Sequence, residues 1–316
     1  MSHTIGMDIG GTKVLAGVVD SEGTILHTAR RPTPADDVFG TRDVIVEVIH
    51  ELVGKFEVEA VGIGAAGWID AGRSTVLYAP NLAWRAEPLR DTIAGEVNLP
   101  VVVENDANAA AWAEYRFGAA QGAQSLVLLT VGTGIGGGIV VNGAMMRGAH
   151  GIAAEFGHVL AVADGHPCGC GARGCLEQYS SGTALVRYAR AAARDSVPSG
   201  SAHTLLTEVN GDLDKIDGPA VTRAAQAGDP TALAAFNEVG RWLGYGMADV
   251  VQVLDPDVII IGGGVSEAGD LLMEPARRAY AERLIQRGKL PVAEIRQASM
   301  GNSAGLVGAA DLARQR

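Results

Sequence analysis

The sequence predicts an α/β protein of two lobes, with mixed sheets covered by helices and a ligand cleft between the lobes. At 316 residues the chain is long enough for two compact lobes with their own cores. Short apolar strands alternate with helical segments, which is typical of sheets covered by helices. One pattern of strand, glycine turn and strand occurs twice, 122 residues apart, which indicates two related halves.

The first half starts with three predicted strands. TIGMDI (residues 4–9), VLAGVVD and TILHTA are apolar strands joined by the turns GGTK and SEG. Residues 41–53 show helical spacing, with Thr41 placed to cap the helix. VEAVGIGAAG and LPVVVEND follow as strands, and ANAAAWAEYRFG as a helix that ends at Gly118. This order predicts a mixed sheet.

The second half repeats that order from SLVLLTVGTGIGGGIVVNGAMM onward. At the offset of 122, Gly10 aligns with Gly132 and Asp20 with Asn142. ALVRYARAAARD, TALAAFNEVGRWLGYGMADVVQVL and EAGDLLMEPARRAYAERLI are predicted helices, and DVIIIGGGV is a buried strand that enters a glycine turn. The polar segment 195–218 is predicted to be an irregular excursion.

Charge and hydropathy exclude several classes of partner. The net charge is −11 and no run is rich in lysine or arginine, which disfavours nucleic acid and anionic membrane surfaces. No run approaches the ~18 apolar residues of a membrane span. MSHTIGMDIGG lacks the pattern of a signal peptide, so a cytoplasmic location and reduced thiols are expected.

Three glycine turns are candidates for binding phosphate or nucleoside. DIGGTK is equally consistent with a hairpin turn and with a phosphate cradle of backbone N–H groups, the Thr12 hydroxyl and Lys13. GTGIGGG formally contains G-x-G-x-x-G, but a strand follows it rather than a helix, so a nicotinamide or flavin site is excluded. For IIIGGGVS alone, structural glycines are the simpler interpretation.

All three cysteines lie within CGCGARGC, and a histidine precedes them. The spacing His158-x9-Cys168-x-Cys170-x4-Cys175 offers four ligands to a closed tetrahedral zinc site, with a structural role. Buried free thiols with an unrelated histidine are the alternative. An odd number of cysteines does not fit disulfides alone.

VVVENDANAAAWAE places Asn105 and Asp106 where a strand meets a helix. From the residues alone, the pair is equally consistent with a helix cap and with a catalytic carboxylate. The segments DIGGTK, VENDANAAAWAE, LTVGTGIGGGIV, AAEFGH, CGCGARGCLEQ and IIIGGGVS occur in this order. Together they resemble the ROK family of sugar kinases (repressors, open reading frames, kinases), in particular its bacterial, actinobacterial-type ATP-dependent glucokinase branch.

The resemblance implies a two-lobed actin-like ATPase (ribonuclease H-like) fold and a sugar kinase. The implied small lobe is residues 1–109 with 302–316, and the large lobe with the zinc loop is residues 110–301. The reaction would transfer the ATP γ-phosphoryl group to the 6-hydroxyl of glucose, with Mg²⁺ screening the phosphates. Family members form dimers or tetramers, so a homo-oligomer is expected.

The resemblance also implies roles for individual residues. Asp106 would be the general base. The sugar site would comprise Asn105, Asp106, Glu155, His158, Glu177 and the backbone of Gly67. The ATP site would comprise Gly10, Gly11, Thr12, Lys13, Thr133 and Gly134, with Gly262, Gly263 and Gly264 near the nucleoside. Zinc would hold the loop that carries His158 and Glu177.

One alternative stays open, and two others are disfavoured. N-acetylglucosamine and N-acetylmannosamine kinases of the same family carry the cysteine motif, and one sequence does not show the space around C2 of the sugar. A sugar-responsive repressor would need an N-terminal helix-turn-helix, and the first strand already starts near Thr4. Polyphosphate is a less favoured donor, because that branch generally lacks the cysteine cluster.

Overall fold

The chain divides into two compact units. The computed structural model describes residues 3–196 and 204–315. Unit 1 consists of Met1–Leu128, Gly137–Ala154 and Ala298–Arg316, and unit 2 of Leu129–Gly136 and Glu155–Gln297. The lobe boundaries predicted from the sequence, at 109/110 and 301/302, remain a prediction. The compact units differ from them, because residues 110–128 and 137–154 belong to unit 1.

The described residues form short strands and longer helices in alternation. The strands are β1 (His3–Ile9), β2 (Lys13–Val19), β3 (Ile25–Pro32), β4 (Val58–Ala65), β5 (Trp68–Ile69), β6 (Val76–Tyr78), β7 (Arg85–Glu87), β8 (Val101–Asn105), β9 (Ser125–Val131), β10 (Ile135–Val141), β11 (Ala144–Met145), β12 (Val258–Gly262) and β13 (Glu294–Gln297). The helices are α1 (Val38–Val53), α2 (Leu89–Val97), α3 (Asp106–Arg116), α4 (Gly182–Ser196), α5 (Thr204–Glu208), α6 (Gly218–Gln226), α7 (Pro230–Leu254), α8 (Asp270–Arg283) and α9 (Ala304–Arg314).

A mixed five-stranded sheet of order β3-β2-β1-β4-β8 organises unit 1. β1, β2 and β3 form an antiparallel meander, whereas β4 and β8 join it in parallel. Ile5, Met7 and Ile9 of β1 are fully buried in one cluster with Ile45 and Ile49 of α1. The alternation of side chains along a strand explains why these three residues share a face. The predicted meander and mixed sheet are confirmed.

Helix α9 covers the other face of the same sheet, and the backbone of the helix contacts the backbone of the strands. A Cβ added to Gly6 would lie 1.9 Å from the carbonyl oxygen of Leu306, and one added to Gly62 would lie 1.8 Å from that of Ala309. Gly308 of α9 meets α3 in the same way, at 1.7 Å from the carbonyl oxygen of Ala109. Glycines are therefore needed where α9 approaches β1, β4 and α3.

The internal repeat predicted from the sequence is present in the structure. β1 and β9, and likewise β2 and β10, begin and end at positions 122 residues apart. In each pair three residues connect the strands: Gly10–Thr12 and Gly132–Gly134. The Asn142-Gly143 turn after β10 has positive φ at both residues, 51° and 76°, as a two-residue hairpin requires.

The second five-stranded sheet has the order β11-β10-β9-β12-β13. β10 and β11 are antiparallel, and β12 and β13 are parallel. In unit 2, α7 and α8 pack through glycine: a Cβ on Gly244 would lie 2.4 Å from the carbonyl oxygen of Ala276. None of the helices within residues 3–196 and 204–315 combines the length and apolar character that a bilayer crossing needs.

Two local predictions were wrong, and one was confirmed. Thr41 does not cap α1, because the Asp37 carboxylate accepts a hydrogen bond from the Gly40 N–H and the helix starts three residues earlier. Helix α3 ends as predicted: Arg116 is its last residue, Phe117 is its C-cap, and Gly118 follows the cap directly. Within the predicted irregular segment 195–218, the described part contains α5 and a 3₁₀ turn at Leu213–Lys215, and residues 197–203 lie outside the described residues.

Candidate active site

Asn105 and Asp106 stand at the junction of β8 and α3 in unit 1. Asn105 is the N-cap of α3, since its Oδ1 accepts a hydrogen bond from the Asn108 N–H at 2.9 Å. Its Nδ2 donates to Oδ1 of Asp106 at 3.1 Å. Oδ1 of Asp106 also accepts from the Ala107 N–H at 2.9 Å. The carboxylate thus lies at a helix N-terminus, where backbone N–H groups favour negative charge.

Gly67 lies against the same junction. Its carbonyl oxygen accepts a hydrogen bond from Nδ2 of Asn105 at 3.1 Å. A Cβ on Gly67 would lie 2.4 Å from the carbonyl oxygen of Tyr78, so no side chain fits there. The structure brings together the three sugar-site residues predicted within unit 1, which are Gly67, Asn105 and Asp106.

The first glycine turn, between β1 and β2, presents its backbone at an open position. Gly10 closes the turn by donating to the carbonyl of Lys13 at 3.1 Å, and the Thr33 hydroxyl donates to the carbonyl of Gly10 at 2.8 Å. A Cβ on Gly10 would meet nothing within 4 Å. The Thr12 side chain is exposed. These features fit a phosphate cradle, one of the two interpretations left open by the sequence.

Asp8 is a titratable group beside this turn that the sequence analysis did not single out. Burial raises the pKa of Asp8, and the charge of Lys13 lowers it in part. Its carboxyl carbon would lie 3.5 Å from a Cβ on Gly305. The signal in the sequence is a carboxylate inside an otherwise apolar strand, where burial disfavours charge.

The second glycine turn is fixed to the start of α4 in unit 2. The Gly182 N–H donates to the carbonyl of Gly132 at 2.7 Å. The Thr183 hydroxyl donates to the carbonyl of Thr133 at 2.8 Å. The Gly132 N–H closes the turn on the carbonyl of Gly134 at 2.9 Å.

The third glycine turn follows β12 and packs against the end of β9. Gly263 has a φ of 83°, and a Cβ there would lie 2.6 Å from the carbonyl oxygen of Val131. Gly262 ends the strand, and Gly264 begins a 3₁₀ turn with open space around it. Gly263 therefore has a structural reason to be glycine, whereas Gly264 is free to face a ligand.

A cavity of about 1250 Å³ in unit 2 joins the second and third glycine turns. Gly132, Thr133 and Gly264 line it together with Thr183, Val265 and Pro219. The predicted residues Thr133 and Gly264 are thus brought to one cavity, whose volume suffices for a nucleotide.

Arginines that the sequence analysis missed line the same cavity. They are Arg187, Arg190 and Arg194 of α4 and Arg223 of α6. Arg190 donates to the carbonyls of Asp214 and Ile216, and Arg223 pairs with Glu208 at 3.1 Å. The spacing of three and four residues along α4 places the first three on one helix face and is the signal that could have found them.

His158, Cys168, Cys170 and Cys175 form one cluster in unit 2, with ligand atoms all within 4.8 Å of one another. The Cys170 and Cys175 sulfurs are 3.7 Å apart, and Cys168 Sγ is 3.7 Å from Nδ1 of His158. Ligands of a tetrahedral zinc ion at a bond length of about 2.3 Å lie about 3.8 Å from each other. The four groups therefore fit zinc, which the sequence predicted.

Burial is the main factor that raises the pKa of the Cys168 and Cys175 thiols, whereas a backbone hydrogen bond from Ala172 lowers the pKa of Cys170. Burial raises the pKa of Cys168 to about 12, which favours the thiol where no cation is bound. A divalent ion supplies the opposite charge that a buried thiolate needs. The chemistry of the ligand set thus agrees with its geometry.

Glu155 and Glu177 flank His158 on two sides. Oε2 of Glu155 is 3.9 Å from Nε2 of His158, and Oε1 of Glu177 is 3.9 Å from Nδ1. Glu177 also accepts from Cys168 Sγ at 3.0 Å. Nδ1 faces the cysteines and Nε2 faces Glu155, so one nitrogen is placed for metal and the other for a further partner. The predicted sugar-site residues of unit 2 are thus gathered beside the metal cluster.

Comparison with known proteins defines the class of this chain. It belongs to the ROK family, whose model matches residues 4–316. The chain is 50% identical over 319 residues to the glucokinase of Streptomyces coelicolor, covering 100% of this chain and 98% of that protein. It is 32% identical over 321 residues to the N-acetylmannosamine kinase of Yersinia pseudotuberculosis, covering 99% of each.

A solved structure agrees with the sequence relatives. The crystal structure of a ROK family glucokinase from Streptomyces griseus in complex with glucose and AMPPNP matches with a TM-score of 0.89 and 51% identity, over 100% of both chains. The predicted actin-like α/β fold is confirmed by this match.

Proposed function

We propose that the chain transfers the γ-phosphoryl group of ATP to the 6-hydroxyl of glucose, giving glucose 6-phosphate and ADP. The observation that carries the proposal is the full-length match, at 51% identity, to the Streptomyces griseus glucokinase with glucose and AMPPNP. AMPPNP is an ATP analogue, so both substrates of the proposed reaction are represented in that complex.

Glucose is favoured over an N-acetylhexosamine as the acceptor. The chain is 50% identical to the Streptomyces coelicolor glucokinase and 32% identical to the Yersinia pseudotuberculosis N-acetylmannosamine kinase, over almost the full length of each. The greater identity supports glucose. An N-acetylmannosamine or N-acetylglucosamine kinase is the second candidate.

Asp106 is proposed as the general base. The bond between O6 of the sugar and the γ-phosphorus forms while the bond from that phosphorus to the β-phosphate oxygen breaks, and the hydroxyl proton passes to Asp106. Hydrogen bonds from Asn105 and from the Ala107 N–H occupy Oδ1 of Asp106 and orient the carboxylate. Asn105, Glu155, His158, Glu177 and the backbone of Gly67 are proposed to bind the sugar hydroxyls.

The nucleotide is proposed to bind both glycine turns and the cavity of unit 2. Thr133 and Gly134 would meet its phosphates, with Gly10, Gly11, Thr12 and Lys13 of unit 1. The segment Gly262–Gly264 would lie near the nucleoside. Mg²⁺ would enter with the nucleotide and neutralise part of the phosphate charge. The arginines of α4 favour an anionic ligand in the cavity.

Zinc is proposed to be structural, held by His158, Cys168, Cys170 and Cys175. Four protein ligands leave no open coordination position for catalysis. Its role would be to fix the loop that carries His158 and Glu177. A homo-oligomer of two or four chains and a cytoplasmic location remain predictions, the first checked by light scattering coupled to gel filtration.

A coupled assay of ADP release tests the proposed function. The purified chain is given ATP and, in turn, glucose, mannose, fructose, N-acetylglucosamine and N-acetylmannosamine. Glucose is expected to give the highest kcat/KM. A preference for an N-acetylhexosamine would replace glucose by the second candidate. Replacing ATP by polyphosphate tests the donor, and we expect ATP to give the higher turnover.

A further inference from the structure

Glu104 is a buried carboxylate directly before Asn105 and Asp106. It is the fourth residue of β8, and only 2% of it is exposed. A buried carboxylate is costly unless it is paired and hydrogen-bonded. It lies two residues before the proposed general base, Asp106.

Two arginines from distant segments of unit 1 surround the carboxylate of Glu104. Nε of Arg147 donates to Oε2 at 2.7 Å, and Nε of Arg73 lies 3.5 Å from the same oxygen. Arg147 follows β11, and Arg73 lies in the turn between β5 and β6. The side chains of both arginines are at least three-quarters buried, so the charges are poorly screened by solvent.

The two segments that carry these arginines also pack on each other. A Cβ on Gly151 would lie 2.3 Å from the carbonyl oxygen of Ile69. Arg73 has a φ of 55°, and its carbonyl accepts a hydrogen bond from the Val103 N–H of β8 at 3.2 Å. A non-glycine residue in this conformation is held there by its surroundings. The turn of Arg73 is therefore fixed to β8 beside Glu104.

The second oxygen of Glu104 holds the residues that flank Asp106. Oε1 accepts hydrogen bonds from the Asn105 N–H at 3.2 Å and from Nδ2 of Asn108 at 3.1 Å. Asn105 and Asn108 are in turn joined by the N-cap hydrogen bond. The peptide that carries Asp106 is thus attached on both sides to one carboxylate, whose other oxygen is held by Arg147.

We propose that Glu104 and Arg147 are positioning residues, which hold Asn105 and Asp106 in the geometry required for phosphoryl transfer. The proposal rests on the proposed function, because the geometry matters through Asp106 and through the sugar contact of Asn105. Displacement of a reacting group by about 1 Å can lower turnover a hundredfold. We attribute the buried pair of Glu104 and Arg147 to the arrangement it specifies, because a buried ion pair is by itself weak evidence for added stability.

The test compares kcat, the KM for glucose and the KM for ATP in Glu104→Gln, Arg147→Met and Arg147→Lys. For Glu104→Gln and Arg147→Met we expect kcat to fall about tenfold or more and the KM for glucose to rise several-fold. The KM for ATP should stay within about twofold, because the proposed phosphate and nucleoside contacts are made by other segments. Arg147→Lys keeps the charge and should recover part of kcat.

Glu114→Gln is the matched control. Glu114 is a fully buried glutamate on α3, whose carboxylate accepts hydrogen bonds from the N–H groups of Ala119, Ser299 and Met300. Its replacement should lower the melting temperature without changing the ratio of the two KM values. Thermal unfolding of every variant shows whether activity is lost because the protein unfolds or because Asn105 and Asp106 are displaced in the folded protein.

Two results would overturn the proposal. One is an unchanged kcat and KM for glucose in Glu104→Gln at a temperature where it is folded. The other is an equal loss in Glu104→Gln and Glu114→Gln, which would make Glu104 a stability residue only. Failure of the proposed function would instead appear in the wild-type chain as absent glucose phosphorylation.

Discussion

The carboxylate of Glu177 lies over Gly134, so closely that a Cβ on the glycine would come within 2.4 Å of Oε2. Glu177, which is predicted to bind the sugar, is therefore in direct contact with Gly134, which is predicted to bind phosphate. The clash would be with the end of a flexible side chain, so Glu177 can move away without unfolding the turn. We therefore expect a change at Gly134 to affect both proposed binding functions.

Gly134→Ala should consequently change sugar binding. Displacement of Glu177 is expected to raise the KM for glucose about tenfold, since the carboxylate loses the position from which it accepts sugar hydroxyls. Steady-state kinetics with glucose varied at saturating ATP measures the effect. Gly95→Ala is the control, because a Cβ there meets nothing within 4 Å and should only stabilise α2 by about 0.5–1 kcal/mol. An unchanged KM for glucose would show that Glu177 does not bind the sugar.

Asp106→Ala should lose most turnover while glucose affinity falls less. Removal of a general base lowers the rate by about 10²–10⁴-fold. Binding of glucose is measured by titration calorimetry and turnover by ADP release. Asp37→Ala is the control, since Asp37 is the N-cap of α1 and its loss should cost about 1 kcal/mol of stability without affecting turnover. Near-normal turnover in Asp106→Ala would mean that the carboxylate only starts the helix.

Protein purified without chelator should contain about one zinc ion per chain, as four ligands define one site. Elemental analysis measures the content, and release of zinc by a thiol-specific mercurial gives a readout independent of activity. His158→Ala and Cys175→Ser are expected to lose the metal and to melt at lower temperature. His166→Ala should retain zinc, because His166 is outside the cluster and its ring lies 5.5 Å from the Tyr179 ring, tilted by 40°. The opposite result for the two histidines would refute the ligand set.

Asp70 should make stability depend on pH. Burial acts to raise the pKa of Asp70, but hydrogen bonds from the N–H groups of Thr75 and Ser74 outweigh it and lower the pKa below 3.8. A lowered pKa in the folded state means that the stabilisation is present above about pH 4 and is lost as the pH falls through the folded value. Asp70→Asn should therefore unfold at a lower temperature than wild type at pH 7, and the difference should be smaller at about pH 3, where the wild-type carboxyl begins to be protonated in the folded state.

Asp43→Asn serves as the comparison for Asp70→Asn. The Asp43 side chain is 69% exposed beside Arg42, and such surface pairs contribute about 0–1 kcal/mol. Its replacement should leave the melting temperature almost unchanged at both pH values. A constant difference between Asp70→Asn and wild type across the pH range would contradict the assigned cause.

Local patterns in the sequence were sufficient for much of the fold and for the metal site. The apolar alternation of β1 and β9 and the glycines at Gly10 and Gly132 located both hairpins, because side-chain period and turn chemistry are local properties. The cysteine spacing located the metal cluster for the same reason. The small sheet of β5, β6 and β7 was missed, since strands of two or three residues carry no periodicity.

Contacts between distant segments could not be predicted from the sequence. Nothing in the residues around Arg73 or Arg147 indicates that both meet Glu104, because periodicity reports which face a residue occupies and not what lies opposite. The N-cap of α1 was misplaced for a simpler reason: Asp37 and Thr41 are both favoured cap residues, and only the hydrogen bond to Gly40 distinguishes them.

The packing of α9 on Gly6 and Gly62 bears on the order in which unit 1 is completed during synthesis. β1 and β4 precede the segments of unit 2 in the chain, whereas Ala304–Arg314 follow them and are made only after all of unit 2. Until then the glycine face of β1 and β4 has no cover, although its other face can already pack against α1. Unit 1 therefore cannot complete its packing before α9 has been made. A nascent chain should expose the glycine face of β1 and β4 to chaperones throughout translation of unit 2.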